Sequence, residues 1–197
     1  MIKNKKVLQS DLDKLVDWSA KWKLGFNEDK CKIMNIGSST LGKTSLTMKT
    51  STGEVKALTE TSVERDLGIM INHKLNWKDQ VDHAVQKAQN ALGLLKRTFK
   101  HWDAEMFVKL FTVYVRPHLE YCNVVWSPYR KREIFRLEQV QRRATKLVPQ
   151  IKFMNYESRL ANLGLPTLEC RRRRGDLIQQ FKFVKGINRV NWFYGEC

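Results

Sequence analysis

Gly37, Gly42, Lys43 and Thr44 stand at the spacing of a phosphate-binding loop, in which glycines let backbone N–H groups converge on a triphosphate. Such a loop needs a helix directly after it, with its amino-terminal N–H groups facing the phosphates. Here Leu46 and Met48 alternate with threonine and lysine before a Ser51, Thr52, Gly53 turn, and no apolar strand ending in aspartate follows to hold magnesium. The residues favour a chance match in a Ser/Thr/Gly loop over a nucleotide binder. Metal and hydrolytic chemistry is no better served. His73, His83, His101 and His118 lie in different segments with no H-x-x-x-H, and Cys31, Cys122, Cys170 and Cys197 include no C-x-x-C pair, so reduced thiols are expected. No recognisable local motif supplies the paired carboxylates of a two-metal site, and no metal ligands are assigned.

Binding chemistry is plainer. Arg132, Arg136, Gln139, Arg143 and Lys146 follow one another at helical steps of 4, 3, 4 and 3, which puts them on one face with no acid interleaved. Phosphates along a nucleic-acid backbone would meet that face, with Arg142 beside it. Arg171, Arg172, Arg173 and Arg174 join the candidate set, although four successive residues point all round a helix and some must pack or pair. A nuclear-import signal competes for that run. Residues 130–185 hold 15 Lys or Arg against 5 Asp or Glu, so +10 of the chain's +16 lies in this stretch.

The elements that must carry these residues follow from periodicity. Leu8, Leu12, Leu15, Val16 and Trp22 recur at helical spacing over Val7 to Trp22. Cys31 to Gly37 reads as a short strand, Leu46 to Leu58 as a hairpin around Ser51 to Gly53, and Asp66 to Ile71 as a further strand. After Leu75 the period changes to 3.6. Asn76 can cap a helix with the stripe Trp77, Val81, Ala84, Val85, Ala88, Leu92, Leu95 and Phe99. Asp103 can cap one through Phe107, Phe111 and Tyr114 that Pro117 stops or kinks. A third runs from about Lys131 to Val148 on Ile134, Leu137, Val140, Ala144 and Leu147, and Asn155 and Thr167 can cap two more across Gly164 and Pro166. The predicted class is α+β: residues 1–74 hold a helix plus short antiparallel strands, and residues 75–197 an all-helical bundle.

Composition narrows the function. The 197 residues, 42% hydrophobic and 10% aromatic, can bury a core, and 36 Lys or Arg against 20 Asp or Glu point to a polyanionic partner, nucleic acid first. The basic start is followed by two aspartates rather than an apolar signal-peptide run, and no apolar stretch approaches the roughly 18 residues of a membrane span. A protein of the nucleus or cytoplasm, without a membrane partner, is expected.

The phrases LQSDLDKLVDWSAKWKLGFNEDKCKIMNIG, RDLGIMINHKLNWKDQVDHAVQKAQNALGLLKR, VRPHLEYCNVVWSP, LEQVQRRATKL, YESRLANLGLPTLECRRRRGDLI and FKFVKG occur in this order and cover nearly the whole chain. In them the chain resembles the carboxy-terminal part of reverse transcriptases (RNA-directed DNA polymerases) of jockey-like non-LTR, or LINE-type, retrotransposons. The resemblance implies a late-palm remnant followed by a thumb-like bundle that holds the template–primer duplex. It implies that Asn27 and Lys30 lie near the incoming nucleotide, with Lys30 a candidate proton donor to pyrophosphate. It implies that Asp66, Leu67 and Gly68 form a primer grip. The implied partners are RNA, RNA–DNA or DNA duplex, and the upstream palm and fingers of a parent polymerase. The family's metal-binding Asp-Asp motif lies upstream of the segment matched here. The chain is therefore expected not to polymerise alone and to bind no cofactor itself, magnesium belonging to the full-length enzyme. A stand-alone helical nucleic-acid-binding module is the alternative.

Overall fold

The computed structural model describes residues 5–37, 45–50 and 53–189, and the chain divides into two compact units, Met1–Asn76 and Trp77–Cys197. The fold is α+β; among the described residues every strand lies in the first unit, and the regular elements of the second are all helical.

In the first unit α1 (Lys5–Lys21) is followed by β1 (Lys32–Ile33), β2 (Thr47–Lys49), β3 (Val55–Ala57), β4 (Thr59–Glu60), β5 (Val63–Asp66) and β6 (Ile69–Asn72). These six make three separate two-stranded ladders, not one sheet. β2 and β3 form the anticipated hairpin, Met48 opposite Lys56. β1 and β4 pair in parallel, Lys32 with Thr59 and Ile33 with Glu60, which corrects the all-antiparallel expectation. The single strand expected over Asp66 to Ile71 is instead a turn and its second arm. Leu67 (φ 44°) and Gly68 (φ 87°) both take positive φ, as the tight turn of a right-twisted hairpin requires, so the chain reverses between Asp66 and Ile69. α1 docks on β2 through Gln9, whose amide stands in for a strand: its Nε2 donates to the Thr47 carbonyl (2.8 Å) and its Oε1 accepts from the Thr47 N–H (3.0 Å).

The second unit begins with α2 (Lys78–Thr98), which buries Gln80 and the anticipated stripe from Val81 to Leu95, while Trp77 and Phe99, expected at the ends of that stripe, flank the helix and are only half-buried. Trp77 rather than Asn76 is its N-cap, and no side chain caps it. α3 (Ala104–Leu110) starts on Asp103, whose carboxylate accepts from the Met106 N–H at 2.8 Å. Pro117 does not stop this helix. The chain widens into a π turn over Phe111–Val115 and continues as α4 (Arg116–Glu120). A proline ring collides with the carbonyl four residues before it, and a turn bonded i to i−5 gives it room. The extra residue per turn rotates the face, so Phe107, Phe111, Val115 and Leu119 are buried at steps of four, while Tyr114, placed on the stripe by α periodicity, is exposed.

α5 (Asn123–Trp126) buries Trp126, whose indole N–H donates to the Tyr121 carbonyl at 2.6 Å. α6 (Lys131–Ala144), α7 (Tyr156–Leu163) and α8 (Leu168–Val184) complete the bundle. Asn155 and Thr167 cap α7 and α8 by accepting from the N–H groups of Ser158 (2.8 Å) and Cys170 (3.1 Å), and Gly164 ends α7 in the left-handed region that glycine enters without a Cβ clash. No helix among the described residues is long and apolar enough to cross a membrane.

Candidate nucleic-acid interface

α6 is amphipathic as anticipated, with Leu137, Val140 and Ala144 inside, but Glu133, Glu138 and Gln141 are buried as well. Its basic face does not lie wholly open. Arg136 forms an ion pair with Asp82 of α2, and Asp82 also takes the Lys78 ammonium at 3.0 Å. The acid absent from the α6 face is supplied by a neighbouring helix. Arg136 is thereby corrected from a free phosphate ligand to a partly neutralised one. Arg132, Arg143 and Lys146 are exposed and have no acid partner among the described residues.

Between α2 and α6 runs a groove of about 560 Å³ whose lining includes Gln86, Gln89, Phe135, Arg136, Gln139 and Arg143. Val85 contributes to its apolar side, and Phe135 is 57% exposed beside it. Gln86 is held by Asn90, to which its amide donates at 2.9 Å.

Several of the other arginines serve the bundle itself. The Arg142 guanidinium lies 4.1 Å from the centre of the Tyr156 ring, a cation–π contact that removes it from the binding set. Tyr156 is buried, its hydroxyl donates to Glu138, and it accepts from the Gln141 amide at 3.1 Å. Glu138 also accepts from the Leu168 N–H at 3.0 Å, an anion set on the first turn of α8 where the helix dipole favours it. Arg159, 4% exposed, donates to Thr145 Oγ1 (2.9 Å) and to the Met154 carbonyl (2.6 Å). Burial, then the hydrogen bond to Glu138, push the Tyr156 phenol above its ordinary range. Sequence reading missed this network because Glu138, Gln141, Tyr156 and Arg159 come from two helices. Their one linear signal is polar residues at core-facing α6 positions.

Arg171 to Arg174 divide as four consecutive helical residues must. Arg171 grips the Glu120 carboxylate with two N–H groups (2.5 and 3.0 Å), and that hydrogen bonding raises its pKa. Arg172 is 2% exposed, so burial keeps it from meeting a ligand, and desolvation lowers its pKa. Both are corrected from ligand contacts to parts of the bundle. Arg173 and Arg174 are exposed.

In the first unit the Lys30 N–H donates to the Asn27 carbonyl (3.0 Å) and side-chain oxygen (3.2 Å), so Asn27 closes a turn that leaves Lys30 exposed. Beside it the adjacent acids Glu28 and Asp29 are not free to act as a pair. Asp29 is bound by Lys56, whose hydrogen bond holds the carboxyl below its usual range. Asp66 and Leu67 are exposed at the β5–β6 turn, with Leu67 at 84%, and Gly68 is half-buried. The Gly37 to Thr44 loop lies outside the described residues beyond Gly37. Among the described residues no three His, Cys, Asp or Glu side chains converge to hold a metal ion. Cys31, Cys122 and Cys170 form no disulfide.

The chain is 29% identical over 110 residues to an uncharacterized protein of Caenorhabditis elegans, a stretch that is 54% of this chain and 56% of that protein. The chain thus spans about half the length of this relative. No protein-family model and no solved structure matches it.

Proposed function

We propose that this chain is a nucleic-acid-binding segment of a non-LTR retrotransposon reverse transcriptase, whose helical unit holds template and primer by their phosphates. The observation that carries this reading is the cationic strip of Arg132, Arg143 and Lys146, exposed and unmatched by acids among the described residues. The ordered resemblance of the phrases named above adds the polymerase context. In that context the exposed turn at Asp66, Leu67 and Gly68 acts on a primer end, and Lys30 acts near departing pyrophosphate. Polymerisation itself requires the parent enzyme's upstream palm and fingers with their magnesium ligands.

Each phosphate neutralised releases condensed counterions, so affinity for duplex falls steeply with salt. Replacing Arg132, Arg143 and Lys146 together by alanine is expected to reduce the slope of log affinity against log salt by about 2 to 3. Helical circular dichroism should persist, because the apolar side of α6 is untouched. An unchanged slope in the triple variant would overturn the assignment of this strip. The alternative of a stand-alone binding module is favoured by the second unit's possession of its own buried core. It predicts that adding a related element's palm and fingers to the chain yields no primer extension.

A further inference from the structure

The groove between α2 and α6 is built differently from the cationic strip beside it. A surface that only tracks phosphates needs cations and little else. This groove presents three primary amides, Gln86, Gln89 and Gln139, together with an aromatic ring and Arg143 at its edge. Its two acid–base partners, Asp82 and Arg136, largely cancel one another. What remains is neutral hydrogen-bonding capacity, in which each amide offers both a donor and an acceptor, above an apolar side formed by Val85 and Phe135. About 560 Å³ falls within the roughly 300–1,000 Å³ of small-ligand pockets, and so has room for a planar heterocycle with its sugar.

Phe135 decides the geometry. The ring is 57% exposed in the middle of a well-packed helix, and it lines both this groove and a second cavity of about 390 Å³ bounded by Tyr156 and Leu160. A phenyl ring standing between two cavities has a face to offer and no protein side chain holding it inside the core. Bases that are paired in a duplex keep their faces stacked on one another, whereas an unpaired base can leave the strand and stack on an aromatic side chain. Amides match the adjacent donor and acceptor of a base edge.

We infer that the α2–α6 groove is a binding site for an unpaired nucleotide of a single strand, its base stacked on Phe135 and its edge met by Gln89 and Gln139, with Arg143 on the adjoining phosphate. This rests on the nucleic-acid reading above and deepens it. The strip Arg132, Arg143 and Lys146 holds backbone of any form, while the groove distinguishes single strand from duplex.

The test uses the full chain and three fluorescein-labelled probes: a short oligouridylate, an abasic strand of the same length, and a blunt RNA duplex, each followed by anisotropy. Oligouridylate should bind more tightly than the abasic strand. Phe135→Ala should weaken oligouridylate binding by about 5- to 150-fold, the range for loss of one stacked base, and change duplex binding by less than about twofold. Phe135→Trp should keep the preference. Because Phe135 is exposed, the melting temperature of both variants should match the parent, and that comparison separates lost stacking from lost folding. Equal affinity for oligouridylate and the abasic strand would overturn the base site, as would an equal loss, or no loss, on all probes in Phe135→Ala. Displacement of oligouridylate by oligoglutamate with the same dependence on Phe135 would assign the groove to a protein partner instead. Failure of every probe to bind in a salt-dependent manner would overturn the nucleic-acid reading itself, a result distinct from loss of the single-strand preference alone.

Discussion

The Tyr156 hydroxyl ties α7 to α6 by donating to Glu138 while accepting from Gln141, and the Arg142 guanidinium covers its ring. Because burial and the Glu138 carboxylate raise the phenol above its ordinary value of 10.0, the native state keeps a proton that the unfolded chain releases. The associated stability is fully present below about pH 10 and is lost as the pH rises toward the folded value. Urea unfolding followed by helical circular dichroism should show stability declining above about pH 10, and less steeply in Tyr156→Phe. At neutral pH the same variant should lose about 1–3 kcal/mol, since Glu138 and Gln141 are left with a buried polar atom short of a partner. An equally steep alkaline decline in Tyr156→Phe would contradict the assignment. Arg136 and Arg143 offer a second comparison at this scale, being neighbours on one helix face with different partners. Arg136→Ala removes a partly exposed ion pair worth roughly 0.2–1 kcal/mol and should scarcely alter the salt dependence of binding. Arg143→Ala should leave stability unchanged and reduce the slope by about 0.7–0.9. The opposite pattern would mean that Arg136, not Arg143, meets the phosphates.

Among the elements, the run from α3 to α4 shows how one local constraint resets a face. Pro117 requires a wider turn before it, and the π geometry of Phe111–Val115 moves the buried position from Tyr114 to Val115. Val115→Ala should therefore cost about 2 kcal/mol of unfolding free energy, as loss of fully buried methyl groups does, while Tyr114→Ala stays within about 0.5 kcal/mol. Comparable costs would indicate a regular α-helix through this stretch. The β5–β6 hairpin carries a different tension. Leu67 occupies a positive φ that costs a non-glycine residue about 1–2 kcal/mol, with its side chain in solvent, whereas asparagine adopts that conformation readily and Asn-Gly is a favoured two-residue turn. Leu67→Asn should stabilise the hairpin by about 1 kcal/mol, read as roughly fivefold slower hydrogen exchange of the paired β5 and β6 amides. No slowing would show that the turn bears no strain.

Across the whole molecule the two units differ in how they are held. Among described residues the first unit buries only two hydrophobic side chains, Met48 and Ile69, and its α1 leaves Leu8, Leu15 and Trp18 exposed, as is Trp22 just beyond its end. Isolated two-stranded ladders are marginal in water, and an amphipathic helix gains little from a face left in solvent. The second unit buries the Phe107, Phe111, Trp126, Leu137 and Leu168 side chains almost completely. Native-state hydrogen exchange should consequently find α1 amides opening at close to zero free energy and the α2, α6 and α7 cores opening only by global unfolding. Limited proteolysis should cut within 1–76 first. Equal protection in both units would require a larger core in the first than its burial indicates.

The sequence alone determined the α+β class, the change to helical periodicity after Leu75, the buried stripe of α2, and the caps at Asp103, Asn155 and Thr167. Each of these depends on neighbours a few residues apart, where backbone geometry fixes which side chains and N–H groups meet. It also foretold that the four arginines from 171 could not all face one way. The positively charged face of α6 was legible as a pattern, but its accessible members were not. Only the tertiary structure set Asp82 against Arg136, Glu120 against Arg171, the Tyr156 ring under Arg142, and Arg172 inside the bundle. The groove at Phe135 likewise exists only where α2 passes α6. A charge's partner can come from any helix that packs beside it, and whether an arginine meets solvent or a carboxylate is settled by that packing rather than by the spacing along its own helix.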